Sequence, residues 1–431
     1  MAGEWIATTL GDCVRFVSGG TPSKGNDEFW GGNIPWVSAK DMKTFWVDET
    51  EDLLTAKGVE ASTFLAPEGS TLLLVRGMTL HNDIPIVRVR QASTYNQDVK
   101  AVLPKPDVLF DYVPYLLLGH KSTLSEKVDA AGHGTGRLAL DALLSIPVLL
   151  PRRAEQTAIA NLLGSLDDKI ELNRRMAATL EEMARALFKS WFVDFDPVRA
   201  KAEGRAPGLP AATAALFPNT FGEDGLPVGW QEQSLLDQAT WVNGAAYKDM
   251  HFSDAPDALP VIKIAELKNG ITESTRWTNT DLGERYKITE GELLFSWSGS
   301  PDTSIDTFVW VHGTAWLNQH VFAVRPNGQA SDATLFALLK YLKPVLIEIA
   351  RDKQTTGLGH VTRQDMMRLK VCVADPSVRA AFDRVAEPLF ARLKLVLKEC
   401  ARLAALRDTL LPKLISGELR IKDANGAVEA A

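Results

Sequence analysis

The chain has 431 residues, 45% of them hydrophobic, and a formal net charge of −7. That is room for two ordinary domains with real cores, and it excludes a binder of nucleic acid that works through a general basic surplus. Three scattered cysteines, Cys13, Cys372 and Cys400, give no CxxC pair and no disulfide framework, which points to a reducing compartment.

The first residues, Met-Ala-Gly-Glu-Trp, do not read as a signal peptide, and no apolar run approaches the roughly 18 residues of a membrane span. The expected setting is cytoplasmic, with no membrane partner. Residues 1–151 read as a mixed domain. Strands are expected at Ser70–Val75, Ile84–Val89 and Val99–Leu103, with a helix around Tyr112–His120. Residues 152–197 form a long helix that Pro197 stops, because proline disfavours helix in the residue before it. Residues 198–226 are a linker rich in glycine and proline, with room for a short helix over Pro210–Leu216. Residues 227–376 are a second mixed domain, with strands at Glu292–Ser296, Thr307–Val311 and Val321–Val324 and a helix at Ala333–Arg351. A second long helix fills 377–421, its regular part ending near Leu411-Pro412, and 422–431 is a frayed tail. Interspersed strands and helices predict an α+β fold rather than a doubly wound parallel sheet.

The chain contains itself twice. Val17-Ser18-Gly19-Gly20 answers to Trp241-Val242-Asn243-Gly244, and Ile34-Pro35-Trp36-Val37-Ser38 to Leu259-Pro260-Val261-Ile262-Lys263. Apolar runs end at Gly77 and Gly299; Asn96-Gln97 matches Asn318-Gln319; glycine clusters follow at Gly132–Gly136 and Gly357–Gly359. The helices match in register. Ile159, Leu163, Leu166, Ile170, Asn173, Ala177, Leu180, Ala184 and Leu187 step by four and three. About 223 positions on stand Phe382, Ala386, Leu389, Leu393, Val396, Cys400, Leu403, Arg407 and Leu410. This is the seam of a coiled coil, and its polar members Asn173 and Arg407 suit the fixing of register. A repeat this long means two domains of one design, each with its own rod, and suits touching two places at once.

Catalytic constellations are missing from the sequence. There is no Walker loop, no GxGxxG between strand and helix, no HExxH, no Asn-Pro-Pro-Phe/Tyr and no PD…ExK pattern. Asp167-Asp168-Lys169 reads as a solvated helix face, and Cys13 as a small buried residue. Neither head is basic: residues 1–151 hold 13 Lys/Arg against 18 Asp/Glu, and 227–376 hold 14 against 18. Residues 377–420 reverse this with 9 against 5. Any contact with phosphate therefore uses local clusters, or a partner supplies the attraction.

The whole architecture resembles the specificity subunit of type I restriction–modification enzymes. The resemblance rests on Val17-Ser18-Gly19-Gly20-Thr21-Pro22 with Ile34-Pro35-Trp36-Val37, and on the two Asn-Gln pairs. It rests also on Glu155-Gln156 with Leu166-Asp167-Asp168-Lys169-Ile170-Glu171-Leu172-Asn173, on the exit Trp191–Pro197, and on Leu411–Leu419. The second head departs from the pattern at Asn243-Gly244-Ala245, and the second rod lacks the Glu-Gln and Asp-Asp-Lys stretches. The resemblance implies two target recognition domains, each reading half of a bipartite double-stranded DNA target. It implies rods packed as an antiparallel coiled coil with pseudo-two-fold symmetry, docking two methyltransferase subunits, with restriction subunits joining them. It implies a chain without catalytic residues or cofactor, with S-adenosylmethionine, ATP and magnesium on the partners. A helix of about 40 residues spans roughly 60 Å, an upper reach near 18 base pairs.

The residue types that suit base edges are Asn and Gln for adenine and Arg or Lys for guanine. Polar residues beside turns are the candidates: Thr21, Ser23, Lys24, Ser38, Lys40, His133, Thr135 and Arg137 in the first head. In the second they are Tyr247, Lys248, Lys263, Lys353, Thr355, His360 and Arg363. The helix-pairing set is Ile159, Leu163, Leu166, Ile170, Leu180, Leu187, Phe382, Leu389, Leu393, Val396, Leu403 and Leu410. No metal site is expected. The competing readings are a stand-alone two-headed DNA-binding regulator and a protein-binding scaffold.

Overall fold

A computed structural model describes residues 5–62, 64–131, 135–354 and 357–424. The chain forms two compact units, one of Met1–Glu171 with Arg402–Ala431 and one of Leu172–Ala401. Each unit therefore holds one head and a stretch of both long helices. The first long helix runs Arg153–Phe192, 40 residues, and the second Pro376–Ser416, 41 residues.

The helix ends follow local chemistry. Proline stands at the first position of the second helix, where its missing N–H costs nothing. That helix does not stop near Pro412 as the sequence suggests; it continues to Ser416, and Gly417 ends it in the left-handed conformation (φ 75°) that glycine adopts without strain. After the first helix, Phe195 takes φ 56°, the one positive value outside glycine among the described residues. A left-handed non-glycine residue costs about 1–2 kcal/mol. Packing of the buried Phe195 ring against Phe221 and Trp230 offsets it, and Pro197 then opens the short helix Asp196–Ala202.

The first head is built on a five-stranded sheet in the order Val14–Ser18, Val99–Pro104, Thr71–Leu74, Ile86–Val89, Trp46–Val47. Thr71–Leu74 is buried on both faces, which is why it reads as an unbroken apolar run. The second head repeats the order with Ala239–Asn243, Val321–Pro326, Leu293–Ser296 and Asp306–Val309. Each head adds a parallel pair: Trp36 and Val37 beside Thr94 and Tyr95, and Val261 and Ile262 beside Trp316 and Leu317. Each also adds a short ribbon after its central strand: Arg76–Gly77 pairs with Thr135–Leu138, and Ser298–Gly299 with Gly359–His360. The heads differ in their helices. The first has the short Val113–Gly119 and Lys121–Glu126, the second the 21-residue Asp332–Asp352.

In both units the long helices run antiparallel and share a core with the head. In the first unit Ile159, Leu163 and Leu166 are buried with Leu410, Leu411, Leu414 and Ile415 and with the head residues Leu116 and Leu117. A Cβ on Gly119 would meet Ile415 at 2.7 Å, so this glycine lets the head close onto the second helix. In the second unit Phe188, Trp191 and Phe192 close around Phe382, with Trp230 and Phe217 completing an aromatic cluster. Burying each such ring or leucine contributes about 1.5–3 kcal/mol.

Candidate nucleic-acid interface

A matched turn frames the same place in each head. Asn96 N–H donates to the Val37 carbonyl at 3.0 Å, and Asn318 N–H to the Ile262 carbonyl at 3.0 Å. The strand that passes this turn does so on glycine, and Gly244 answers to Gly19, one place before the Gly20 that the sequence repeat suggests. A Cβ on Gly19 would lie 2.2 Å from the Tyr95 carbonyl oxygen, and one on Gly244 2.2 Å from that of Asn318. No side chain fits either position. The Asn-Gln pairs are thus set by backbone packing, and Asn318 is buried. The glutamines lead outward. Gln97 Oε1 accepts from Thr21 Oγ1 at 2.7 Å, and Gln319 Nε2 lies 3.2 Å from His320 Nε2.

Beside Gln97 in the first head opens a cleft of about 370 Å³, walled by Ser18, Arg76, Asp98, Lys100 and Arg137 among others. Lys100 Nζ donates to Ser18 Oγ at 2.6 Å, and partial burial holds its pKa below the ordinary lysine value. The candidate Arg137 is exposed on the ribbon, with Asp129 as its strand partner on one side and Arg76 on the other. Thr135, on the same strand, is half-buried and opposite Ala131. Sequence reasoning passed over Arg76 and Lys100. The one available signal was an arginine directly before the repeated glycine, Gly77.

A second group in the first head surrounds two tryptophans. Lys24 Nζ sits 4.8 Å from the Trp30 ring centre and 5.3 Å from that of Trp36, the two rings meeting edge to face. It also reaches Asp52 at 3.3 Å. The Ser23 carbonyl accepts from Trp30 Nε1 at 3.0 Å, and exposed Lys40 pairs with Glu51 at 2.6 Å. Ser38 is buried and its hydroxyl donates to Asp41 at 2.8 Å, closing a helical turn rather than facing outward.

The second-head candidates divide in the same way. Tyr247 is buried, whereas Lys248 and Lys263 are exposed. Lys263 and Arg276 lie 5.5 Å and 4.4 Å from the Phe252 ring centre. Lys353 is committed to Asp365, and Arg363 donates to the Trp241 carbonyl at 2.7 Å. His360 stands opposite Ser298 on the ribbon. His133 and Thr355 lie outside the described residues.

Of the pairing residues, Ile159, Leu163, Leu166, Ile170, Leu180, Phe382, Leu393, Val396 and Leu410 are buried, and Leu187, Leu389 and Leu403 are half-buried. Phe188 and Phe390 are buried beside the half-buried leucines, because the helices pack on the heads as well as on each other and bury a wider stripe than a two-helix seam. Polar contacts fix register within each unit. Asn173 Nδ2 donates to Glu399 at 3.0 Å. Arg407 donates to Asp167 at 2.8 Å, and Tyr115 of the first head donates its hydroxyl to the same carboxylate at 3.0 Å. Asp167 is therefore not the solvated residue the sequence suggests; it is buried, and burial raises its pKa even against the pull of Arg407. Glu155 accepts from Trp5 and Arg420, and Gln156 bonds Leu109 N–H and the Asp107 and Pro151 carbonyls. The characteristic run of the first rod thus ties head to helix pair.

Burial pushes the Cys13 thiol up to about 11 and that of Cys372 to about 12, so neither is a thiolate at neutral pH. No group of side chains that could hold a metal occurs among the described residues, and no helix among them is long and apolar enough to cross a membrane.

Two heads of one strand order, each with a polar rim and each sharing a core with both long helices, define a two-headed recognition protein built by duplication. Residues 3–182 match the family described as the type I restriction modification DNA specificity domain. The MjaIX specificity subunit of Methanocaldococcus jannaschii is 26% identical over 444 aligned residues, which cover 97% of this chain and 94% of that one. The EcoR124I/EcoR124II specificity subunit of Escherichia coli is 34% identical over 166 residues, 38% of this chain and 41% of that one. The crystal structure of the S subunit of a type I restriction–modification system from M. genitalium shares the fold, with a TM-score of 0.55 at 14% identity, covering 96% of each chain. Residues 3–182 thus match the type I DNA specificity domain, and over nearly its whole length the chain is similar to specificity subunits of type I restriction enzymes.

Proposed function

We propose that each head reads one half of a bipartite double-stranded DNA target and that the paired helices set the gap between the halves. In this reading the helices also dock two methyltransferase subunits, and restriction subunits can join them. S-adenosylmethionine, ATP and magnesium belong to those partners, and this chain contributes no catalytic residue. The observation that carries the reading is the repeated head frame: the Gly19 and Gly244 contacts and the same strand order, on helices that pair antiparallel in both units. The acidic balance of the heads fits a subunit that leaves much of the phosphate attraction to partners.

The test is a matched heptad inserted into both helices at the Asn173–Glu399 level. Seven residues add about 10 Å of helix, near three base pairs of DNA. The methylated motif of the complex should keep both half-targets and gain about that many unread pairs. Altered half-targets across an unchanged gap would refute the ruler. Specific DNA binding by the purified chain that a methyltransferase subunit leaves unchanged would favour the stand-alone regulator instead.

A further inference from the structure

In the first head the ribbon sets Asp129, Arg137 and Arg76 in one row across three strands, because each is the direct strand partner of the next. Direct partners project to the same face, about 5 Å apart. Like charges placed directly opposite destabilise a sheet. Arg137 and Arg76 are nonetheless exposed, and neither side chain makes an ion pair or hydrogen bond among the described residues. Lys100 stands across the same cleft, and Asp98 is the carboxylate in its wall. A pair of unneutralised guanidinium groups on a ribbon edge is built for an electron-rich partner with two acceptors side by side.

The equivalent strand positions of the second head show what kind of partner. There Ser298 stands for Arg76 and His360 for Arg137, in the same pairing, and Phe322 stands for Lys100. The frame around these positions is kept in both heads, and the cations are not. A contact to phosphate is needed alike by both heads, since the DNA backbone is the same everywhere. A contact to a base edge differs whenever the half-targets differ.

We propose that the Arg76–Arg137 row reads guanine in the half-target of the first head, and that the second head has no such reader at the corresponding place. The proposal rests on the DNA-reading role given above. Guanine presents O6 and N7 side by side in the major groove, the acceptor pair that arginine meets with two donors, and a β-ribbon is narrow enough to enter that groove. Lysine meets a phosphate as well as arginine does but lacks the flat two-donor fork.

The experiment uses the full chain produced with its methyltransferase subunit and sequences the methylated sites in bulk DNA. The wild-type motif should carry a G·C pair in the half-target of the first head. Arg76→Ala and Arg137→Ala should relax a G·C position in that half by roughly ten- to a hundred-fold in preference, and leave the other half as it was. Arg76→Lys should relax it too. Equal melting temperatures for variants and wild type establish that the head is intact. An unchanged motif, a uniform loss of methylation that lysine restores, or a first half-target without a G·C pair would each overturn the guanine assignment. A wild-type motif with only one half would overturn the two-headed reading itself, and this proposal with it.

Discussion

In the first head the strand positions around the shared Asn-Gln turn carry Arg76, Lys100 and Arg137; in the second the same positions carry Ser298, Phe322 and His360. Behind them the glycines, the strand order and the backbone bonds of the turn are the same. Duplication has therefore kept the backbone frame and released the side chains set around it, two of which, Ser298 and His360, stand on the ribbon while Phe322 is drawn into the core. A substitution behind the rim changes whether the head folds. A substitution on the rim changes what the head binds.

The tie between head and helices separates the two units most sharply, and it gives the largest expected effect. In the first unit Arg407 is the charged partner of a buried carboxylate, Asp167. Arg407→Met should cost roughly 3 kcal/mol at neutral pH, because the carboxylate is left buried without its counter-ion. Asp167→Asn should cost less, since Arg407 keeps Asp408 at 2.7 Å. Replacing both Asp167 and Arg407 by leucine should recover most of the loss. Denaturant unfolding of the full chain checks all three. A double variant no better than Arg407→Met would show that the pair stabilises as an ion pair and not only by avoiding a bare charge.

Gly19→Ala and Gly244→Ala test whether the frames are equivalent. Each Cβ would meet a carbonyl oxygen at 2.2 Å, a clash with backbone that cannot swing aside. Overpacking of this kind costs about 1–3 kcal/mol. The two losses should be similar in melting experiments. A loss in one head alone would mean that the common turn is held differently in the two.

The duplication, the heptad helices and most strands were legible because they rest on periodicity. Leu293–Ser296 and Thr71–Leu74 read as short apolar runs and are central strands. The helix Asp332–Asp352 was legible despite Pro344, since its apolar face persists on both sides. The role of Asp167 was hidden, because a carboxylate beside Asp168 and Lys169 looks solvated until Tyr115, 52 residues away in sequence, is seen to bond it. The cationic cleft was hidden for the same reason. Arg76, Lys100 and Arg137 are far apart in the chain and meet only through strand pairing. Ser38, Lys353 and Tyr247 looked like outward polar groups but spend their polar atoms or their surface within the head.

The two units should also answer differently to acid. In the second, burial drives the Asp306 carboxyl upward, but Lys340, and then Lys343, overcome it and hold its pKa below the ordinary value. A lowered carboxyl binds fewer protons folded than unfolded, so its stabilisation is present above the unfolded pKa near 4 and lost as pH falls through the folded value. Asp167 is raised, so its contribution runs the other way, present below the unfolded pKa and lost as pH rises through the folded one. Hydrogen exchange on the full chain should show the second unit loosening below about pH 4, and Asp306→Asn should flatten that response. The same response in Asp306→Asn as in wild type would locate the acid sensitivity elsewhere.

The smallest expected effect lies on the rim of the first head, at Lys24. Its side chain is 61% exposed and its bond to Asp52 is a surface ion pair, worth little to stability. Lys24→Ala should therefore leave the melting temperature unchanged. Yet its ammonium is held over Trp30 and Trp36 and against Asp52. A fixed point charge at the edge of a reading surface suits phosphate, which any sequence offers. The substitution should then weaken DNA binding by the assembled complex alike for all sequences and lower the slope of log affinity against log salt by about 1. A relaxed base preference with an unchanged salt slope would move Lys24 from the positioning contacts to the reading ones, and would widen the region in which the two heads differ.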